Sequence, residues 1–254
     1  MRPADVTLSM LSLRGARFDQ PARFTVLERA KAARASGLTS LGLEYYDPSM
    51  TPAVLDYVTV PELEWVDVDR EVPAATVEHL LTVAGMLGST RINAGVGIGT
   101  KSPVPLEEVT GYVSLFAAAV APLTVALEPI AFGWLPHARD VAKIVTDVNM
   151  PNLGFLLDMW HISADAEPYV LDVASIAEVQ LAGIPATYGA DMFAGAMDRP
   201  LITDSSVDIG AWMTHLESAG YAGPVSYEAP HARNASMRLS MIARNVADDI
   251  ASIA

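Results

Sequence analysis

The sequence predicts a (β/α)8 barrel, in which eight parallel strands alternate with helices, and three observations support this fold. Short β-branched runs are each followed by a segment with helical spacing, eight times along the chain. The 254 residues give about 32 residues to each unit, which fits the ~250-residue size of such barrels. Residues 14–17 follow the first strand and lack the glycine-rich phosphate loop of the main competitor, a doubly wound open sheet.

The first four units begin with a strand over 6–13 and a helix over 25–36. Thr25 and Glu28 have the spacing of a capping box, and Gly37 follows as a glycine stop. The next predicted strands are 40–45, 63–68 and 91–96, followed in turn by helices 52–57, 74–87 and 106–120.

The last four units repeat the pattern. The predicted strands are 124–129, 153–159, 177–182 and 224–228, and the helices that follow them are 138–149, 167–173, 209–219 and 236–253. No linker or change of composition divides the chain, so we expect one domain over residues 1–254.

The composition excludes several classes of function. Asp and Glu number 30 against 16 Lys and Arg, and this net charge of −14 is opposite to that of nucleic-acid-binding proteins. The chain has no cysteine, which excludes disulfides, thiolate metal sites and cysteine nucleophiles. The longest uncharged stretch, 110–127, is interrupted by Pro122 and is too diluted for a membrane span. The start of the chain does not resemble a signal peptide, so we expect a cytoplasmic protein.

Oxygen-bearing side chains end four consecutive predicted strands. Glu128, Asp158, Gln180 and Glu228 end strands five to eight, and the residues before the carboxylates are mostly apolar. A single carboxylate at a strand end is more often a helix cap or a solvated loop residue, but oxygen donors at the ends of four successive strands point to one site. Because strand ends meet at one face of a barrel, the three carboxylates would repel one another unless a divalent cation bound them.

Further polar residues belong to the same predicted rim. Glu44 and Asn93 end the second and fourth strands, and we expect them to contact a substrate. An all-oxygen set of ligands favours Mg²⁺ or Mn²⁺ over Zn²⁺, which prefers nitrogen and sulfur.

Four segments together make the family resemblance specific. Residues 127–129, 157–161, 179–185 and 220–228 resemble the xylose-isomerase-like TIM-barrel superfamily, and most closely its hydroxypyruvate isomerase group. The resemblance implies that Glu128, Asp158, Gln180 and Glu228 are metal ligands, although most relatives carry a histidine where Gln180 stands. It also implies that Glu128 and Glu228 are the acid and base.

The resemblance extends to the substrate. It implies that His161 binds substrate and that Arg199, in the loop after strand seven, contacts it as well, although residues 204–208 depart from the glycine-rich stretch of many relatives. The implied activity is a metal-dependent isomerase or epimerase of a sugar or small hydroxy-carbonyl compound. It would abstract a proton next to a carbonyl to give a metal-stabilised enediolate.

Three rival functions remain open at this point. The same proton abstraction followed by loss of a leaving group would make a lyase or dehydratase, including one that cleaves C-glycosides. An apurinic endonuclease shares the superfamily, but those enzymes typically use several histidine ligands and a basic DNA surface. Only one of the five histidines here is at a matched position, and the net charge is negative, so both features argue against this function. A non-catalytic barrel that binds a ligand is the third. We expect the protein to bind a small sugar-like substrate and to bind neither nucleic acid nor a membrane. The sequence leaves open whether the chain forms a homo-oligomer.

Overall fold

Eight parallel strands form a closed barrel in the computed structural model, which describes residues 1–17, 19–98, 104–165 and 171–253. Each strand pairs with the next, and β1 also pairs with β8, which closes the sheet and confirms the predicted fold. The strands are β1 (Thr7–Leu8), β2 (Ser40–Glu44), β3 (Thr59–Asp67), β4 (Arg91–Gly95), β5 (Thr124–Glu128), β6 (Leu153–Asp158), β7 (Ile176–Leu181) and β8 (Val225–Tyr227).

Helices connect the strands on the outside of the barrel. Within the described ranges they are α1 (Val26–Ala35), α2 (Ala74–Leu87), α3 (Leu106–Ala119), α4 (Ala138–Val148), α5 (Met159–Ala164), α6 (Met192–Ala196), α7 (Ile209–Ser218) and α8 (Leu239–Ala251). The capping box of α1 forms as predicted, because the Thr25 side chain accepts from the Glu28 N–H and the Glu28 side chain accepts from the Thr25 N–H. None of the described helices is both long and apolar enough to cross a membrane.

The observed helices differ from the predicted ones mainly at three places. Residues 52–57 were predicted as an α-helix, but Pro52–Asp56 forms a 3-10 helix. Of the predicted helix 167–173, residues 167–170 lie outside the described ranges, and Val173 begins a 3-10 helix that ends at Ser175. The short helices α5 and α6 were not predicted, because their few residues show no helical period.

The two faces of each strand carry different kinds of buried side chain. Side chains that point outward, such as Leu43, Leu63, Leu127 and Val179, join the buried apolar core that packs against the helices. Many side chains that point into the barrel are polar or charged, including Glu62, Glu64, Arg91, Asn93, Glu178 and Gln180. The centre of this barrel is therefore polar, whereas aliphatic side chains fill most barrels of this type.

Strand β3 begins four residues before the predicted start and carries two glutamates into the barrel. Its pairing with β4 shifts between Glu64 and Val66, and Trp65 between them has a φ of 79°. A non-glycine residue in this left-handed region is strained, and a bulge of this kind redirects the neighbouring side chains. Gly42 on β2 leaves the space that the Glu62 and Glu64 carboxylates occupy.

Candidate active site

The four residues predicted as metal ligands lie at the carboxyl ends of neighbouring strands. Glu128 and Asp158 end β5 and β6, Gln180 lies near the end of β7, and Glu228 directly follows β8. Asp158 is in register with Gln180, which in turn is in register with Ser226 on β8. All four side chains are buried, with exposed fractions of 3% or less. Burial of three carboxylates in one place requires compensating positive charge or bound protons.

Asp158 is held by backbone hydrogen bonds and by one arginine. Its Oδ1 caps α5 by accepting from the N–H groups of Trp160 at 2.7 Å and His161 at 3.0 Å. Its Oδ2 lies 2.6 Å from Nη1 of Arg199. Burial by itself would raise the pKa of Asp158, but Arg199, His161 and the backbone donors outweigh burial and lower the pKa below its ordinary value.

The Arg199 guanidinium joins two strand ends. Besides Asp158, it contacts Glu228, with 2.8 Å between Nη2 and Oε2. It lies over the ring of Trp160, with its central carbon 5.4 Å from the ring centroid. Its Nε donates to the carbonyl of Ala196 at 3.2 Å. Arg199, predicted to contact the substrate, therefore lies among the predicted metal ligands and forms ion pairs with two of them in this structure.

His161 is buried and neutral at physiological pH. Burial is the main cause that lowers its pKa to about 3, and Arg199 adds to the effect. Its Nδ1 accepts from the N–H of Ala131 at 3.0 Å, so we assign the remaining proton to Nε2. That Nε2 lies 3.8 Å from Oε1 of Glu128, which places an N–H donor beside the carboxylates.

Glu128, Gln180 and Asn93 present polar atoms that have no hydrogen-bond partner among the described residues. These atoms are Oε1 of Glu128, Oε1 of Gln180, and both side-chain polar atoms of Asn93. Burial, with Asp158 and Glu228 nearby, raises the pKa of Glu128 well above its ordinary value. Because buried polar groups normally have partners, these atoms are candidates for contact with a ligand.

Glu228 is connected to a further glutamate through Ser9. The Ser9 hydroxyl lies 2.7 Å from Oε1 of Glu228 and 2.9 Å from Oε2 of Glu64. A hydroxyl has one proton to donate, so it can bond both carboxyls when one of them is protonated. Burial and the neighbouring Glu62 and Glu228 raise the pKa of Glu64 well above its ordinary value. Burial likewise raises the pKa of Glu228, although Arg199 opposes this.

A second charged layer lies deeper in the barrel. Arg91 on β4 donates from Nη2 to Glu62 at 2.5 Å and from Nε to Glu178 at 2.7 Å. Burial and the charge of Glu62 raise the pKa of Glu178 to about 8, with Arg91 opposing them. Arg91 balances the charge of one of the two carboxylates, and a proton bound by the pair balances the other, so the layer is neutral.

Glu44 lies at the end of β2. It is fully buried and forms ion pairs with Arg14 and with Arg29, at 3.1 Å in the second case. Arg29 also pairs with Asp47, which extends this network into the loop after β2. The predicted contact between Glu44 and a substrate thus stays a prediction, and the ion pairs give this side chain a structural role as well.

Three of the site residues meet the spacing of a metal centre. Glu128, Asp158 and His161 each offer one ligand atom, and these atoms lie within 4.8 Å of one another. The Nε2 of His161 would have to lose its proton to bind a metal, since Nδ1 already accepts from the backbone. Oε1 of Glu128 and Oε1 of Gln180, which have no partner among the described residues, are oxygen atoms of the kind that a hard divalent cation prefers.

The family follows from a sequence comparison. The model of the xylose isomerase-like TIM barrel family matches residues 12–251. The chain belongs to this family. A search of curated proteins found no match.

Several solved structures share the fold of this chain at low sequence identity. The IolI protein with a bound zinc atom is 13% identical, with a TM-score of 0.78 over 98% of this chain and 97% of that one. The probable 3-DHS dehydratase AsbF of Bacillus anthracis is 14% identical, with a TM-score of 0.72 and 99% of both chains covered. An L-ribulose 3-epimerase is 14% identical, with a TM-score of 0.69 over 98% of this chain and 94% of that one.

Sequence reasoning missed five buried residues of the interior. They are Ser9, Glu62, Glu64, Arg91 and Glu178. The missed signal is alternation, because residues 61–65 and 177–181 alternate polar and apolar side chains along their strands. In an open sheet the polar face of such a strand meets water, whereas in this barrel it lines the interior.

Proposed function

We propose that this protein is a divalent-metal-dependent isomerase or epimerase of a sugar or small hydroxy-carbonyl compound. The observation that carries the proposal is that two buried glutamates border the Asp158–Arg199 ion pair. Glu228 contacts Arg199 directly, and a ligand atom of Glu128 lies within 4.8 Å of one on Asp158. Proton transfer at carbon needs a base and an acid in one water-poor site, and this arrangement supports both roles.

The oxygens of Glu128, Asp158, Gln180 and Glu228 are the ligands that we assign to Mg²⁺ or Mn²⁺. When bound, such a cation would polarise a substrate carbonyl and make the neighbouring C–H more acidic. The fit rests on the donor set, which is entirely oxygen, and on the partnerless Oε1 atoms of Glu128 and Gln180.

The protein's own residues divide the proton transfers. Glu228, which Arg199 helps to keep ionised, is the base that removes the proton next to the carbonyl. Glu128, whose pKa is raised well above its ordinary value, returns a proton. Return to the opposite face of the same carbon gives an epimer, and return to the neighbouring carbon gives the aldose or ketose isomer. His161 donates its Nε2–H to a substrate oxygen, and Asn93 and Glu44 complete the proposed substrate contacts.

Deuterium exchange tests the proposal directly. A panel of ketoses is incubated with the Mn²⁺-loaded protein in heavy water, and NMR follows incorporation at the carbon next to the carbonyl. We expect Glu128→Gln and Glu228→Gln each to slow exchange by at least ~10²-fold, the scale of general acid–base catalysis. Glu107→Gln, at an exposed position on α3, is the matched control and should exchange as the wild type does.

Two results would contradict the assignment. Full activity in the double Glu128→Gln/Glu228→Gln variant would remove both glutamates from the mechanism. Net loss of a leaving group without an isomeric product would instead make the protein a lyase, which is the kind of reaction named for the similar AsbF structure. Chelation by EDTA should abolish exchange, and Mn²⁺ or Mg²⁺ should restore it.

A further inference from the structure

The guanidinium of Arg199 is fixed from several directions. It contacts the side chains of Asp158 and Glu228, the carbonyl of Ala196 and the face of Trp160. It also donates from Nη1 to the backbone carbonyl of Glu228 at 3.3 Å. With an exposed fraction of 1%, it is a buried cation whose planar geometry matches two carboxylates at once.

Arg199 contacts the one carboxylate oxygen on Asp158, and the one on Glu228, that other groups leave free for a ligand. Oδ1 of Asp158 already accepts two backbone N–H bonds, which use both of its lone pairs, and its Oδ2 faces Arg199. Oε1 of Glu228 accepts from Ser9, and its Oε2 faces Arg199. On both carboxylates, the oxygen best placed to bind a metal is therefore the one in contact with the guanidinium.

The four proposed ligands thus fall into two pairs. Asp158 and Glu228 are occupied by Arg199, whereas Glu128 and Gln180 each keep an oxygen without a partner in the part of the chain that is described. Once Glu128 has released its proton, three carboxylates and one arginine carry a net charge of about −2, which a divalent cation would neutralise. The charge favours binding of the cation, but the contacts on Asp158 and Glu228 oppose it.

We propose that Arg199 competes with the divalent cation for Asp158 and Glu228, so that cation binding moves the guanidinium off at least one of these carboxylates. The inference rests on the metal-dependent function proposed above and adds a regulator to it. Arg199 sets the affinity of the site for its metal, and the displaced guanidinium becomes available for the substrate contact that the sequence predicts. A substrate that holds Arg199 away from the ligands would therefore tighten metal binding.

Titration calorimetry with Mn²⁺ alone tests the competition without any substrate. We expect Arg199→Gln to bind Mn²⁺ at least tenfold more tightly than the wild type. Arg199→Lys should fall between them, because a lysine keeps the charge but cannot bridge two carboxylates with a fork. Arg34→Gln, which removes an exposed positive charge on α1, is the control and should leave the affinity unchanged.

Tryptophan fluorescence supplies a readout that a change of charge alone would not move. Because Arg199 lies over Trp160, Mg²⁺ binding should change the emission of the wild type, and Trp160→Phe or Arg199→Gln should lose most of that change. If Arg199→Gln binds Mn²⁺ as tightly as the wild type or more weakly, the inference is overturned. The proposed function would still stand, provided that the wild-type protein itself is active. Absence of Mn²⁺ binding in every variant would overturn both. If Arg199→Gln does not fold, an affinity in Arg199→Lys no higher than that of the wild type would also overturn the inference.

Discussion

Replacement of Arg91 by methionine tests the charge balance inside the barrel. Arg91 donates to Glu62 and Glu178 at the centre of the sheet, and all three side chains are buried. In the wild type one cation and one bound proton balance two carboxyls. Without the arginine, the two carboxyls must hold a second proton, because an isolated carboxylate cannot stay ionised in such surroundings.

The cost of that second proton can be worked out from pH. A glutamate in the unfolded chain has a pKa of about 4.3 and is ionised at both pH values. Binding one extra proton in the folded state therefore costs about 4 kcal/mol at pH 7.5 and about 2 kcal/mol at pH 5.5. The pKa of Glu178, raised to about 8, lies above both pH values, so the first proton is mostly bound in the wild type over this range. The stability that this proton supplies is present below the ordinary pKa and is lost as the pH rises through about 8.

Urea unfolding of the wild type and Arg91→Met at the two pH values is the assay. The loss of free energy of unfolding should be greater at pH 7.5 than at pH 5.5 by about 3 kcal/mol, the value for one proton over two pH units. In the double variant Glu62→Gln/Arg91→Met the second proton is not needed, so the loss should no longer depend on pH. A loss in Arg91→Met that is equal at both pH values would refute the reasoning. If the variant is unfolded at pH 7.5, it should regain structure at pH 5.5.

Two smaller stability changes follow from single hydrogen bonds. Tyr227→Phe should lower the free energy of unfolding by about 1–2 kcal/mol in urea titrations, because the buried Tyr227 hydroxyl donates to Asp249 at 2.6 Å. The same substitution at half-buried Tyr112, whose hydroxyl forms an exposed hydrogen bond with Glu108, should change the free energy of unfolding by less than about 0.5 kcal/mol, and equal losses would contradict the argument. Thr25→Ala removes the acceptor of the Glu28 N–H at the start of α1 and should cost about 1 kcal/mol. An unchanged urea midpoint would show that the capping box does not stabilise the fold.

The fold was predictable because the strands and the longer helices each carry their own local signal. The helix Ala74–Leu87 was predicted to the residue, since Gly88 ends it in the left-handed conformation that glycine favours. Strand β1 was predicted over 6–13 but ends at Leu8, and Met10–Leu13 turns into a 3-10 helix. The apolar side chains of that segment are equally compatible with either structure, so the pattern could not place the boundary.

The candidate site was predictable only where a residue ends a strand. Glu128 and Asp158 were singled out because a charge closes an apolar run, and the structure brings them together. Glu64 was missed because its strand was predicted to begin one residue before it, which hid the alternation. The double contact of Arg199 with Asp158 and Glu228 depends on a loop far along the chain, and no local pattern encodes such a contact.

Gly42 has a consequence for how the interior of this barrel can evolve. A methyl group at position 42 would overlap the carboxylates of Glu62 and Glu64, so any larger residue would force both acids out of their present positions. The glycine and the two acids should consequently be inherited or lost as a set among related chains. A sequence alignment could then separate members with this charged interior from those with an aliphatic one, before any of their structures is known.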